Sequence, residues 1–301
     1  MYEHLETENW HYVEEARSFV SKTLSNGKEN EVFRYLQRSY FFGFIEVIWL
    51  PGNSLQAIDL KCHFSNIAKM KKWKLLFFFA RDMRNFDISR HACYLNNNFK
   101  NFRNLNQEFS VVLSKNEGFS NVNSFKKRWQ RTLKKSINKC KDYTIEICTN
   151  SEDVISLYQE LKAIKKLSKR EVLMDKYIKN IFKLFSDKLL VLKISDCDGI
   201  CVSVRGVLLN GNYAFDIFAA TGSKGRSVGA SYVLMFELLK KLDEIDTIEL
   251  FDLNGIDPEK NKGVFDFKDG LGGSIVFRQG NYSWSNSKLG NIIITLVGRY
   301  L

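Results

Sequence analysis

The residues best placed by type and spacing to do chemistry lie between positions 251 and 273: Phe251-Asp-Leu-Asn-Gly-Ile-Asp-Pro-Glu-Lys-Asn-Lys-Gly-Val-Phe-Asp-Phe-Lys-Asp-Gly-Leu-Gly-Gly273. Residues 247–253 alternate as a β-strand, carry Asp252 near their end, and break at Asn254-Gly255. A strand end that opens into a loop with an acid and an isolated lysine is where an α/β sheet often holds ligands. The acid can handle a proton, and Lys268 can face a developing negative charge. The same residues also fit a solvated loop in which Gly and Pro mark turns and Lys268 faces water.

The run Asp252-Leu-Asn-Gly-Ile-Asp-Pro followed by Gly263-Val-Phe-Asp-Phe-Lys-Asp-Gly-Leu-Gly-Gly273 resembles the signature of the FemABX family. Members of that family add amino acids from aminoacyl-tRNA to the amine of a cell-wall peptide precursor. The resemblance implies an α/β (α+β) chain of two tandem GNAT-like acyltransferase domains, each a mixed sheet flanked by helices. It also puts Phe267-Lys268 at the reaction centre, with Lys268 steadying the tetrahedral intermediate. Asp252 and Asp216 lie on strands that splay apart in GNAT domains; they either orient or deprotonate the amine or are structural strand-end acids.

Two further stretches extend the resemblance. Lys127, Arg128, Arg131, Lys134 and Lys135 match the family's basic helix, with Trp and Leu replacing smaller partners. Ser168-Lys-Arg170 stands where the family has Thr-x-Arg, associated with the phosphates of a nucleotide-linked acceptor. Serine keeps the hydroxyl, and Arg170 can contact phosphate bidentately. The family's following tyrosine is not evident, Met174 lying near that place.

The whole chain is consistent with this. Its 301 residues suit two domains, and 45% hydrophobic and 14% aromatic content can pack both, which excludes a disordered chain. A net charge of +11 suits a polyanionic partner (tRNA, a nucleotide-linked precursor or, peripherally, an anionic membrane face) and equally a merely basic protein; the resemblance implies a nucleotide- or lipid-linked acceptor. Six cysteines without C-x-x-C spacing and four scattered histidines give neither a metal site nor a disulfide framework. The N-terminus lacks the pattern of a signal peptide, and no apolar run approaches the ~20 residues that span a bilayer. A soluble, cytoplasmic protein is expected.

The elements that must hold these residues follow from periodicity. In the first half we expect a helix over 6–24 and strands in 33–50. Beyond Pro51-Gly52, a helix capped by Ser54 runs to about residue 72, with strands at 73–80 and 109–113. Ser124 is the expected cap of a helix whose apolar stripe is Phe125, Trp129, Leu133 and Ile137; its positions 126–141 hold eight basic residues and no acid. That face either binds phosphate or is simply solvated. In the second half come a strand at 143–148, a helix capped by Asn150, a second helix near 172–186, and strands at 189–195, 200–209 and 213–220. Asp198-Gly199 and Asn210-Gly211 read as hairpin turns between these strands. A helix over 229–242, the strand to 253, a last strand at 274–279 and a C-terminal apolar helix complete the order. The resemblance, in which a C-terminal helix returns to the first domain, implies domain limits at 1–142 with 285–301, and at 143–284.

One other motif competes for the donor. Arg226-Ser-Val-Gly229-Ala-Ser is similar to the GNAT loop that binds the coenzyme A pyrophosphate at a helix N-terminus, although its last position is Ser rather than Gly or Ala. It keeps an acyl-CoA-dependent N-acyltransferase acting on an amino sugar or peptide as the alternative. With a tRNA ester as donor no cofactor is needed. A non-catalytic RNA-binding protein is the third reading, but no helix-turn-helix, RNP or zinc pattern accompanies the basic helix.

Overall fold

A computed structural model describes residues 20–25, 32–51, 68, 74–85, 87–96, 99–102, 109–165 and 175–297. The chain forms two compact units: Met1–Phe109 with Val276–Leu301, and Ser110–Ile275. The expected limits lie further along the chain, at 142/143 and 284/285. The strand at Phe109–Ser114 and the basic helix sit in the second unit because that strand pairs within its sheet and that helix packs on Ala230–Asp243.

The first unit carries strands β1 (Val20–Ser25), β2 (Val32–Tyr40), β3 (Ile45–Pro51), β4 (Leu75–Asn85), β5 (Lys100–Phe102) and most of β12 (Ser274–Ser285). They run in the order β1-β2-β3-β4-β12, with β5 on β12. Among the described pairings of this unit only β3 and β4 are parallel. The helix Ile88–Asn96 buries Tyr94 against β12, its ring stacked on Tyr282 at 3.7 Å, in a core with Leu76, Phe78 and Phe99. Residues 20–25 are a strand paired with β2 rather than the end of the expected helix, whose remainder lies outside the described residues. The expected Ser54–Lys72 helix also falls almost wholly outside them.

The second unit is the one that positions the site. Its sheet runs β6 (Phe109–Ser114), β11 (Leu250–Gly255), β10 (Tyr213–Thr221), β9 (Cys201–Asn210), β8 (Leu189–Ser195) and β7 (Thr144–Ile147). Among the described pairings of this unit only β10 and β11 are parallel. Buried residues run without alternation from Val202 to Leu208, the mark of a strand covered on both faces; the helices Ser151–Lys165 and Ala230–Asp243 pack against it. Both expected hairpin turns form, with Gly199 and Gly211 at positive φ.

Three local expectations change. The basic helix is Lys127–Lys139, and Lys126 occupies its cap position; Ser124 closes a preceding 3₁₀ turn instead. Its buried positions are Trp129, Leu133 and Ser136, while Ile137 is exposed. The small Ser136 faces Gly229, so the helix turns inward at the residue that permits close approach. Finally, the Phe267-Lys268 pair lies on a helix, Lys262–Asp269, not in an open loop.

Candidate active site

Strands β10 and β11 pair only over Tyr213–Phe215 and Leu250–Asp252, and then part. A bulge follows Asp216 in β10, and the β11 register shifts after Asp252. Past that point Asn254, at φ 59, reaches across with its side chain: Nδ2 donates to the Asp216 carbonyl at 2.5 Å. Asp252 fixes this turn. It is fully buried, and its Oδ1 accepts from the Asn254 amide at 2.7 Å and from the Ser110 hydroxyl. Two roles are open to Asp252 on sequence, orienting or deprotonating the amine and a strand-end acid; its Oδ1 is engaged in holding local structure.

Lys268 enters this opening from the helix Lys262–Asp269 and is buried. Its Nζ donates to the carbonyls of Gly255 at 2.9 Å and Asn254 at 3.3 Å. Burial holds its ammonium below the ordinary lysine range; Arg205 pushes the same way, and Asp216 and Asp252 oppose it. Asp216 is itself buried. Its Oδ2 accepts from Arg205 Nη1 at 2.7 Å, while Oδ1 finds no hydrogen-bond partner among the described residues. A buried carboxylate oxygen with nothing to accept is costly unless it serves a ligand or catalysis.

Phe267 shapes the same place. The Arg205 guanidinium lies 5.3 Å from its ring centre, Tyr232 packs edge-on at 5.0 Å, and Trp129 stands at 6.0 Å. Trp129 is buried, and its indole Nε1 also finds no partner among the described residues. The basic helix thus docks directly on the Phe267-Lys268 helix. Lys126 pairs with Asp269 at 2.6 Å, its amide donates to the Gly270 carbonyl at 2.8 Å, and Arg128 lies 3.9 Å from Asp266. The glycine run has its reason here: Gly272 is at φ 80, against the Ser124 carbonyl, where a side chain would not fit. It makes room for protein rather than for substrate.

The other residues expected at the site are placed as follows. Phe267, Lys268, Asp216 and Asp252 come together; Arg128 stands at the edge of the group, near Asp266. Arg131 and Lys135 project from the exposed face of the basic helix, with Lys127 and Lys134. Ser168 and Arg170 lie outside the described residues. Arg226 is exposed, donating to the Thr221 carbonyl at 3.0 Å. The Arg226–Gly229 stretch forms a short helix, Ser223–Val228, ended by Gly229 at φ 77, rather than an open loop. The Ser223 amide donates to the Glu160 carboxylate at 2.8 Å.

Arg205, Tyr158 and Trp129 are site residues that sequence reasoning does not single out. Arg205 has a signal, a lone charge inside the apolar run Val202-Ser-Val-Arg-Gly-Val-Leu-Leu209, which demands a buried partner. Tyr158 reads from the sequence only as a member of a buried stripe. Its hydroxyl donates to the Ala219 carbonyl at 3.1 Å and accepts from the Ala219 amide at 3.2 Å, pinning β10 beside the bulge, and burial raises its pKa.

This sheet, splayed between parallel neighbours, and the chain's two units are those of tandem GNAT-like acyltransferase folds. A tandem GNAT protein from the clavulanic acid biosynthesis pathway matches with a TM-score of 0.56 at 10% identity, over 89% of this chain and 84% of that one. More similar still is the structure of FemX: TM-score 0.71 at 11% identity, covering 97% of this chain and 94% of FemX. L-PGS from Bacillus licheniformis matches at 0.54 and 12%, over 93% and 88%. These likenesses establish the fold. The sequence matches no protein-family model and no curated protein.

Proposed function

We propose that this chain is an aminoacyltransferase that moves an amino acid from aminoacyl-tRNA to a primary amine of a cell-envelope precursor, a peptidoglycan peptide or an amino sugar of another surface glycan. The observation that carries the reading is the Lys268 ammonium, buried where β10 and β11 part and held by two carbonyls. An ammonium has three N–H donors; two are used, and the third is left for the oxygen that turns negative when an amine attacks an ester. The unpartnered Oδ1 of Asp216 suits the other reactant, holding the incoming amine and taking its proton as the C–N bond forms. As the C–O bond breaks, the ester oxygen takes that proton and leaves as a hydroxyl of the tRNA ribose. No serine or cysteine nucleophile is required.

The tRNA donor is supported by the exposed row Lys127, Arg131, Lys134 and Lys135 on a helix that docks on the reaction centre. An acyl-CoA donor fits the chain less well. The stretch that would cradle a pyrophosphate is helical, Glu160 already occupies the Ser223 amide, and Ser136 fills the space over Gly229. The acceptor would be nucleotide- or lipid-linked and reached from the cytoplasm.

Purified protein offered charged tRNA pools and acyl-CoAs in parallel tests this directly. Amine-dependent deacylation of tRNA, with acyl-CoA untouched, is the expected result. Consumption of acyl-CoA alone would reverse the donor, and tRNA binding without any transfer would leave only an RNA-binding protein.

A further inference from the structure

The first unit carries a surface that the reaction does not explain. Between β2 and β3 the chain turns through Tyr40-Phe-Phe-Gly-Phe44 with its aromatic side chains outward: Phe41 is 74% exposed, Phe42 fully exposed and Phe44 61%. Phe41 and Phe42 sit at φ 49 and 55, a left-handed conformation that bulky residues rarely adopt. A turn made for its own stability would place Gly or Asn there. Holding two phenylalanines in it, facing water, costs free energy twice, which points to a contact that uses them.

A second segment joins the same end of the sheet. The Phe44 carbonyl accepts from the Leu75 amide at 2.9 Å. One residue either side, Asn286 accepts from the Leu76 amide at 3.0 Å and donates to the Lys74 carbonyl at 2.9 Å. The helix Lys288–Val297 therefore starts at the same end of the sheet, across β4 from the aromatic turn, with Leu289 and Ile292, one helical turn apart, both exposed. Arg38, half-buried, and Lys288, exposed, are cations at this end, and Lys100 reaches the same helix, its Nζ donating to the Asn291 carbonyl at 3.2 Å. Glu46, the acid placed there among the described residues, is buried and paired with Lys74 at 2.5 Å.

We propose that this end of the first unit, the Tyr40–Phe44 turn with Leu289 and Ile292, docks on an anionic lipid bilayer. Aromatic rings fit the level of the headgroups, where they bury apolar area without needing a pocket. The flanking cations match a negative lipid surface. A second copy of the chain is a poorer occupant, since a symmetric contact would set the same cations against one another. Among the described residues no helix is long and apolar enough to cross a membrane, so attachment through them is peripheral. The chemistry of the site plays no part in this inference.

Sedimentation with phosphatidylcholine vesicles, with and without phosphatidylglycerol, tests it on the intact chain. The protein is expected to follow the phosphatidylglycerol vesicles and to be released by salt. Phe41→Ser with Phe42→Ser should lower partitioning on the order of tenfold or more, by removing the apolar area that inserts. Lys288→Glu should weaken binding to the anionic vesicles alone. Should the double variant fail to fold by circular dichroism, Leu289→Ser reads the same surface from the other segment and should also weaken binding. Failure of the wild type to bind anionic vesicles, or equal binding by folded Phe41/Phe42 and Leu289 variants, overturns the proposal. So does a dimer that these substitutions dissociate, which would assign the surface to a second copy.

Discussion

Under the proposed transfer reaction Lys268 has two roles to be told apart, both from one geometry. Protonated, it gives two N–H groups to the Asn254 and Gly255 carbonyls and keeps a third for a substrate oxygen. Neutral, it gives both its N–H groups to those carbonyls and turns a lone pair toward the substrate. Lys268→Met removes both options and should lower kcat by about 10²–10³, the loss typical of one oxyanion donor, with KM for both substrates little changed. Lys268→Arg separates them, because arginine stays charged. Partial activity that persists to higher pH than in the wild type supports the oxyanion role; an Arg variant as inactive as Met means that the lone pair matters. Stability gives an independent reading. Burial sets the folded pKa of Lys268 below its ordinary 10.5, so between those two values the unfolded chain binds more protons and stability rises with pH. Relative to Lys268→Met, the wild type should be least stable below the folded pKa and recover as pH climbs toward 10.5. A Tm difference between the two proteins that is flat with pH would mean that the buried ammonium carries no such penalty.

At the level of elements, the basic helix has one end committed to packing and one face open. Lys126 and Arg128 approach Asp269 and Asp266, so reversing their charge would disturb the docking itself. Arg131, Lys134 and Lys135 are exposed, and their replacement by Glu leaves the buried face alone. If that face follows tRNA phosphates, the triple variant should bind tRNA more weakly, and its log Kd against log salt should flatten by about 0.7–0.9 for each phosphate no longer neutralised. An unchanged slope would make the face merely solvated. The helix meets its neighbour at Gly229, whose φ of 77 and closeness to Ser136 let it cross the start of Ala230–Asp243. Gly229→Ala should cost about 1–2 kcal/mol for the left-handed backbone alone, and more from the Ser136 contact. Adding Ser136→Gly should recover only the second part in denaturant unfolding. This is also where the sequence stops being legible. Hairpins marked by Asp198-Gly199 and Asn210-Gly211 are local chemistry and can be read directly. That Ser136 rather than Ile137 turns inward depends on a glycine more than ninety residues away; the pairing of Arg205 with Asp216, eleven residues apart across one hairpin, depends on the bulge register instead.

Across the whole molecule, chain order and compact units do not coincide, and folding should show it. The second unit is one continuous stretch, Ser110–Ile275, whereas the first needs both ends of the chain. Strand β12 pairs with β4 and β5, and its Tyr282 ring stacks on Tyr94 in the core; Ser285 and Asn286 bond to β4 backbone at Leu76 and Lys74. A chain cut after Phe109 therefore keeps β1 to β4 but loses the strand that completes their sheet, and it exposes the face that Tyr282 covers. Non-local pairing of this kind also has to wait for the last residues to be made. The fragment 110–275 is expected to unfold in a single cooperative transition, because its burial is supplied from within: β9 is covered on both faces by its own helices. The fragment 1–109 should show no cooperative transition alone, and should gain one when 276–301 is joined to it by a flexible linker. Circular dichroism melts of the three chains read this directly. A cooperative melt of 1–109 by itself would show that β12 is an accessory to that core rather than part of it. Loss of the transition in 110–275 would show that the strand ends around Lys268 depend on residues outside their own unit.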